Sequence, residues 1–96
     1  MAQIIIPTPL RKYTEEQAVF TTDQPTVELA INELVNKFPA LKTQVIDNSG
    51  KLRSFIKVFI GEEDIRGLGG EQATIGDKDV VSLIPAIAGG VSVSLN

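Results

Sequence analysis

Gly89 and Gly90, near the end of the chain, are the residues whose type and position most clearly indicate chemistry. They follow an apolar run and Pro85, and the side chains between become smaller toward the glycines. A segment without side chains can enter a narrow channel in backbone conformations that other residues avoid. We therefore predict a tail of Ile87, Ala88, Gly89 and Gly90 that presents the backbone carbonyl of Gly90 to another protein.

The composition disfavours an independent enzymatic activity. The sequence has no cysteine and no histidine, which excludes disulfides and thiol nucleophiles and removes the commonest general base and metal ligand. The glycine-rich stretch at residues 67–70 lacks the lysine of a phosphate-binding loop and the third glycine of the dinucleotide fingerprint. We predict no catalytic residues, no metal and no bound cofactor, and a role as carrier or substrate.

Length and charge limit the classes of partner. A chain of 96 residues is sufficient for one domain with a single core. Its net charge of -3 disfavours nucleic acid and anionic membranes and favours a basic patch on a protein partner. Because the apolar runs are much shorter than the roughly 20 residues that span a bilayer, and no charged signal-peptide start is seen, we expect a soluble cytoplasmic protein.

The apolar patterns predict an α+β domain in which one main helix packs across one face of a mixed sheet of four to five strands. Thr26 is the predicted N-cap of the helix and Pro39 its end. The predicted strands are residues 3–6, 17–21, 52–60 and 80–84, the first two paired as a hairpin; residues 71–75 form a short edge strand or turn, and residues 10–16 and 40–51 are polar connections.

A candidate partner face follows from the alternation in the predicted strand at residues 52–60. This pattern places Phe55, Lys57 and Phe59 on one side together with Arg53, and residues 52, 54, 56, 58 and 60 on the side that meets the helix. Aromatic and cationic residues are enriched at the centres of protein interfaces. We predict that Phe55, Lys57, Phe59 and Ile84 form this face, with Ser82 beside them; the alternative is that they are covered by loops or simply exposed.

Several motifs, in this order and spacing, resemble a known family. They are TVEL at residues 26–29, FIKVFIGEEDIR at residues 55–66, GDKDV at residues 76–80 and IPAIAGG at residues 84–90. Together they are similar to the ubiquitin-related sulfur carriers of the MoaD/ThiS type, most of all to the branch that serves cysteine biosynthesis. The resemblance implies a ubiquitin-like β-grasp domain at residues 1–86 and a flexible Gly-Gly tail at residues 87–90.

The resemblance also implies a chemical role for Gly90. In such carriers an E1-like adenylating and sulfurtransferase enzyme uses ATP to activate the carboxylate of the last glycine. Sulfur then replaces AMP, and the thiocarboxylate donates its sulfur to a sulfur-accepting enzyme of cysteine, thiamin or molybdopterin biosynthesis. Gly90 would be the adenylated and sulfur-carrying residue.

The sequence departs from the family pattern at one place. Most such carriers end at the second glycine, whereas here a peptide bond joins Gly90 to Val91 and residues 91–96 follow. The resemblance therefore implies cleavage between Gly90 and Val91 by a zinc metalloprotease. Two alternatives keep the fold: a non-covalent interaction module whose extension adds a strand to a sheet edge, since apolar residues alternate with serines there, and a protein modifier that is conjugated to lysines.

Overall fold

The short apolar runs of the sequence form one five-stranded sheet, which the computed structural model describes together with the helices over residues 1–85. The strand order is β2-β1-β5-β3-β4. β1 and β5 are parallel, and every other pair is antiparallel. The strands are β1 (Ala2–Ile5), β2 (Val19–Thr22), β3 (Ile56–Ile60), β4 (Glu63–Asp64) and β5 (Val80–Pro85). The predicted mixed sheet and the hairpin of β1 and β2 are confirmed.

The main helix, α1 (Val27–Lys37), lies across one face of this sheet as predicted. Its N-cap is Thr26, whose hydroxyl accepts the Leu29 N–H at 3.4 Å. The apolar stripe of the helix is buried, and it packs against the inward side chains of the strands in a single core. The fully buried residues of that core include Ile4, Leu34, Val58, Val81 and Leu83.

Pro39 does not end the helical part of the chain. α1 ends at Lys37, and Pro39 begins a second helix, α2 (Pro39–Val45). Proline is compatible with the first position of a helix because its missing N–H needs no partner there. Leu41 and Val45, four residues apart, are buried and hold α2 against the core. The predicted polar connection at residues 40–51 was therefore wrong in its first half.

Short 3-10 helices replace parts of two predicted segments. One covers most of the predicted turn at residues 10–16 and buries Leu10. Another begins the predicted edge strand at residues 71–75, of which only Thr74 forms a bridge, to Thr26. The 3-10 helices are Thr8–Tyr13, Ile65–Gly67 and Gly70–Gln72.

β3 is shorter than the predicted strand at residues 52–60. The Ile56 N–H donates to the Arg53 carbonyl at 3.0 Å, so the residues before Ile56 form a turn. Ser54, predicted on the side that meets the helix, is exposed in that turn, and Leu52 forms an isolated bridge to Ile46. The alternation is confirmed within the strand itself, where Ile56 and Val58 are buried.

Candidate functional site

The predicted tail and cleavage site follow directly on the last strand. β5 ends at Pro85, and Ile87, Ala88, Gly89, Gly90 and Val91 lie outside the described residues. β5 occupies the middle of the sheet, between the parallel β1 and the antiparallel β3, and Pro85 is the register partner of Ile56. β1 pairs only with residues 80–82 of β5, so the tail leaves the domain from the end of β5 that pairs with β3 alone.

The sheet surface opposite the helix brings three of the four predicted partner-face residues together. Lys57 is the register partner of Ile84, and Phe59 is the partner of Ser82, the residue predicted beside them. Directly paired residues of antiparallel strands point to the same side. Ile84 is 45% exposed and Phe59 is half-buried. An apolar surface with a lysine in its middle thus lies next to the start of the tail.

Phe55, the fourth predicted residue, lies in the turn before β3, outside the paired residues of the strand. Its ring is 40% exposed. It borders a cleft of about 220 Å³ that Tyr13, from the first 3-10 helix, and Pro85 also line. Arg53 lies in the same turn, and it borders a different cleft, on the far side of β3. The structure therefore separates Arg53 and Phe55 from the regular strand in which the sequence pattern placed them.

Three apolar residues of this surface were missed by the sequence analysis. Ile5 is the register partner of both Val19 and Ser82, so the surface continues across β1 and β2. Val80 lies on it as well, and both Val19 and Val80 are exposed. The alternation within the short strands carried this information, but two- or three-residue patterns are weak signals by themselves.

The charge distribution on this side of the sheet is dominated by one ion pair. The Arg66 guanidinium binds the Asp64 carboxylate, with Nη2 at 2.7 Å from Oδ2. These hydrogen bonds, more than the nearby charge of Lys57, hold the pKa of Asp64 below its usual value, and they raise the pKa of Arg66. Asp64 is the register partner of Phe59 and stays ionised at neutral pH.

Neither a metal-binding cluster nor a membrane-spanning helix is found among the described residues. In residues 1–85 no group of three or more acidic, cysteine or histidine residues is placed to hold a metal ion. No helix in the same range is long and apolar enough to cross a lipid bilayer.

Comparisons with known proteins agree with this architecture. The chain is 34% identical, over 89 residues, to the sulfur carrier protein CysO of Mycobacterium tuberculosis, a match that covers 91% of this chain and 96% of that protein. The CysO chain in the crystal structure of the Amycolatopsis orientalis BexX/CysO complex superposes with a TM-score of 0.84 at 31% identity, over 94% of this chain and 100% of that one.

A further solved structure is more distant in sequence and supports the fold only. Small archaeal modifier protein 1 of Methanosarcina acetivorans superposes with a TM-score of 0.80 at 23% identity, over 93% of this chain and 95% of that protein. The ubiquitin-like β-grasp fold is thereby confirmed. Residues 4–90 match the ThiS family, a range that includes both tail glycines and ends at Gly90. The chain belongs to the ThiS family.

Proposed function

We propose that this protein is a sulfur carrier whose Gly90, once residues 91–96 have been removed, is converted to a thiocarboxylate. The observation that carries the proposal is the family match over residues 4–90, which stops at the second glycine. The similarity to the sulfur carrier protein CysO supports the same role and favours cysteine biosynthesis over the thiamin and molybdopterin routes. We propose that the protein, as a carrier of this kind, is a substrate of other enzymes and acts in the cytoplasm.

The proposed chemistry needs a free carboxylate on Gly90. An E1-like partner joins that carboxylate to the AMP part of ATP and releases pyrophosphate, since a carboxylate is a poor acyl donor until it carries a leaving group. A sulfide sulfur then attacks the acyl carbon, the bond to AMP breaks, and the thiocarboxylate remains. A sulfur-accepting enzyme takes the sulfur in the next step. The protein itself supplies the acyl group of Gly90, which has no side chain, and a surface for docking.

The fold supports this role by holding the start of the tail at a fixed point. Pro85 is the register partner of Ile56 at the end of β5, where the pairing with β3 holds the strand in the sheet. From there, the five residues to Gly90 can span at most about 18 Å when fully extended. A partner that binds the surface of Lys57, Phe59 and Ile84 would therefore find Gly90 within that distance of Pro85.

The test of the carrier proposal uses a chain that ends at Gly90. Incubated with its activating enzyme, ATP and sulfide, this chain should gain the mass difference between sulfur and oxygen, and without sulfide it should accumulate as the AMP adduct. Intact-mass spectrometry reads both products. The activating enzyme is first shown to be active on another carrier of the family. If it then yields neither product with this chain, the protein is an interaction module.

The partner face gives a separate prediction. Replacing both Phe55 and Ile84 by serine should weaken binding to the activating enzyme by roughly thirtyfold or more, equivalent to about 2 kcal/mol, because a few apolar side chains that become buried on binding contribute most of an interface's binding energy. Isothermal titration calorimetry measures the dissociation constant. The matched control is Leu68→Ser, since Leu68 is 38% exposed but belongs to the loop between the 3-10 helices.

Three outcomes would contradict the partner face. Equal weakening by Leu68→Ser would show that any exposed apolar residue matters. A large fall in the melting temperature of the double variant would show that Phe55 and Ile84 stabilise the domain itself. Unchanged binding would place the docking surface elsewhere.

One observation favours a second candidate function. Val91, Val93 and Leu95 alternate with serines, a pattern typical of a strand, and an extension of this kind could pair with an exposed sheet edge in a non-covalent assembly. Such a module would keep residues 91–96, whereas a carrier activated at Gly90 would lose them. The intact mass of the protein from its native cell distinguishes the two.

A further inference from the structure

The cleft of about 220 Å³ that Phe55 borders also touches Pro85, the last residue of β5. Its other walls come from the first 3-10 helix, from α2 and from the turn before β3. The lining residues are Pro9, Leu10, Lys12, Tyr13, Gln44, Phe55, Ile56 and Pro85. Six of these eight are apolar or aromatic, so the cleft is suited to an apolar side chain rather than to a charged ligand.

The one charged residue of the lining is engaged with an aromatic ring. The Nζ atom of Lys12 lies 5.3 Å from the centre of the Tyr13 ring, within the range of a cation–π interaction. Leu10 and Ile56 are buried and form the floor of the cleft, whereas the ring of Phe55 is partly open to solvent at its rim. An apolar side chain that enters the cleft would therefore remove further aromatic surface from water.

The alternation along β5 directs a later apolar residue of the chain toward this cleft. Val81 and Leu83 are buried on the side of the sheet that meets the helix. Pro85 follows at the same spacing of two residues, and its register partner Ile56 is buried as well. Ile87 comes two residues later. A chain that stays extended past Pro85 would thus bring Ile87 to the side on which the cleft lies.

Backbone pairing within residues 1–85 does not continue past Pro85 on either side of β5. β1 pairs with β5 only as far as Ser82. On the other side, Ile56 is the first residue of β3, and its N–H donates to the Arg53 carbonyl in the preceding turn. The chain after Pro85 therefore needs a side-chain contact, rather than a ladder of hydrogen bonds, to be held against the domain.

We propose that the side chain of Ile87 binds in this cleft, against Leu10, Tyr13 and Phe55, and fixes the first part of the tail to the domain. Two residues of extended chain span at most about 7 Å, so Ile87 stays close to the cleft wall at Pro85. Such a short tether gives Ile87 a higher effective concentration at the cleft than the apolar residues beyond Gly90 have. Residues 88–90 are then the part of the tail that moves freely.

The bound Ile87 links the tail to the predicted partner face. Phe55 belongs to that face and also borders the cleft, so a partner that binds Phe55 competes with Ile87 for the same ring. Docking of the partner would then release the tail at the moment when the partner is in place to receive it. This link rests on the proposed partner face, whereas the binding of Ile87 in the cleft does not depend on the carrier function.

The test measures nuclear Overhauser contacts of the Ile87 methyl groups in the full 96-residue chain labelled with ¹³C and ¹⁵N. We expect contacts to the Tyr13 ring and to the Leu10 methyl groups. Ile87→Ser should shift the amide signals of residues 10, 13 and 55. Val93→Ser, a matched change of an apolar residue in the same terminal segment, should leave them in place. Ile87→Val should keep both the amide positions and the methyl contacts.

Each other outcome overturns the proposal. Absence of any contact between Ile87 and the cleft would show that the cleft does not hold the tail. Equal shifts from Val93→Ser and Ile87→Ser would assign the cleft to residues 91–96. Contacts found only between labelled and unlabelled molecules in a mixed sample would make a second copy of the chain the occupant. If Ile87→Ser disturbs the amide signals of α1 and β1 as well, the contacts in the natural chain and in Ile87→Val still decide.

Discussion

Replacing Val91 by proline is expected to leave the protein at its full length in its native cell, where the natural chain should be recovered ending at Gly90. Proline lacks the backbone N–H and fixes φ, and it also restricts the residue before it. Proteases bind an extended backbone on both sides of the scissile bond, so the Gly90–Val91 bond should become a poor substrate. Intact-mass spectrometry of the recovered protein measures the two forms directly.

The control for this experiment is Val91→Ala, which keeps the N–H and the freedom of the backbone and should be processed as the natural chain is. A second control supplies a chain that already ends at Gly90 and should restore thiocarboxylate formation in cells that hold only Val91→Pro. If the natural chain is recovered only as the form ending at Asn96, the processing proposal is wrong. If the natural chain is processed and the Val91→Pro chain is cleaved equally well, the cleaved bond is not Gly90–Val91.

Local patterns were sufficient to predict the parts of the fold in which one element carries its own signal. The spacing of apolar residues after Thr26 predicted α1 because a helix must turn one stripe toward the core. The alternation around Val58 predicted β3 for a similar reason. At Pro39 the same local rules failed, since a proline that ends one helix is equally suited to begin the next, and only the burial of Leu41 and Val45 reveals which occurred.

The candidate site required information that is not local. Lys57 and Ile84 are neighbours because β3 pairs with β5 in one particular register, and no pattern within either strand states that register. The tail was the reverse case: its glycines were evident from the sequence, and they lie beyond Pro85, where the described structure ends.

Leu34→Ala should destabilise the domain by about 2–5 kcal/mol, a large part of the roughly 5–15 kcal/mol typical of such domains. Leu34 lies on the buried stripe of α1 and is 0% exposed. Truncation there removes apolar burial and leaves a cavity in the middle of the interface between helix and sheet. Alanine has the higher helix propensity of the two, so the loss cannot come from the helix itself.

The same substitution at Leu29 separates packing from every other effect. Leu29 belongs to the same helix but is 43% exposed, and alanine there keeps the N–H that donates to the Thr26 cap, so Leu29→Ala should change stability by no more than about 1 kcal/mol. Urea unfolding followed by circular dichroism gives both values. Equal losses at the two positions would show that α1 is not held by its buried stripe.

Because a partner must recognise the sheet and the start of the tail together, a chain ending at Gly90 with Leu34→Ala should also lose activation in proportion to its unfolded fraction, whereas Leu29→Ala should keep it.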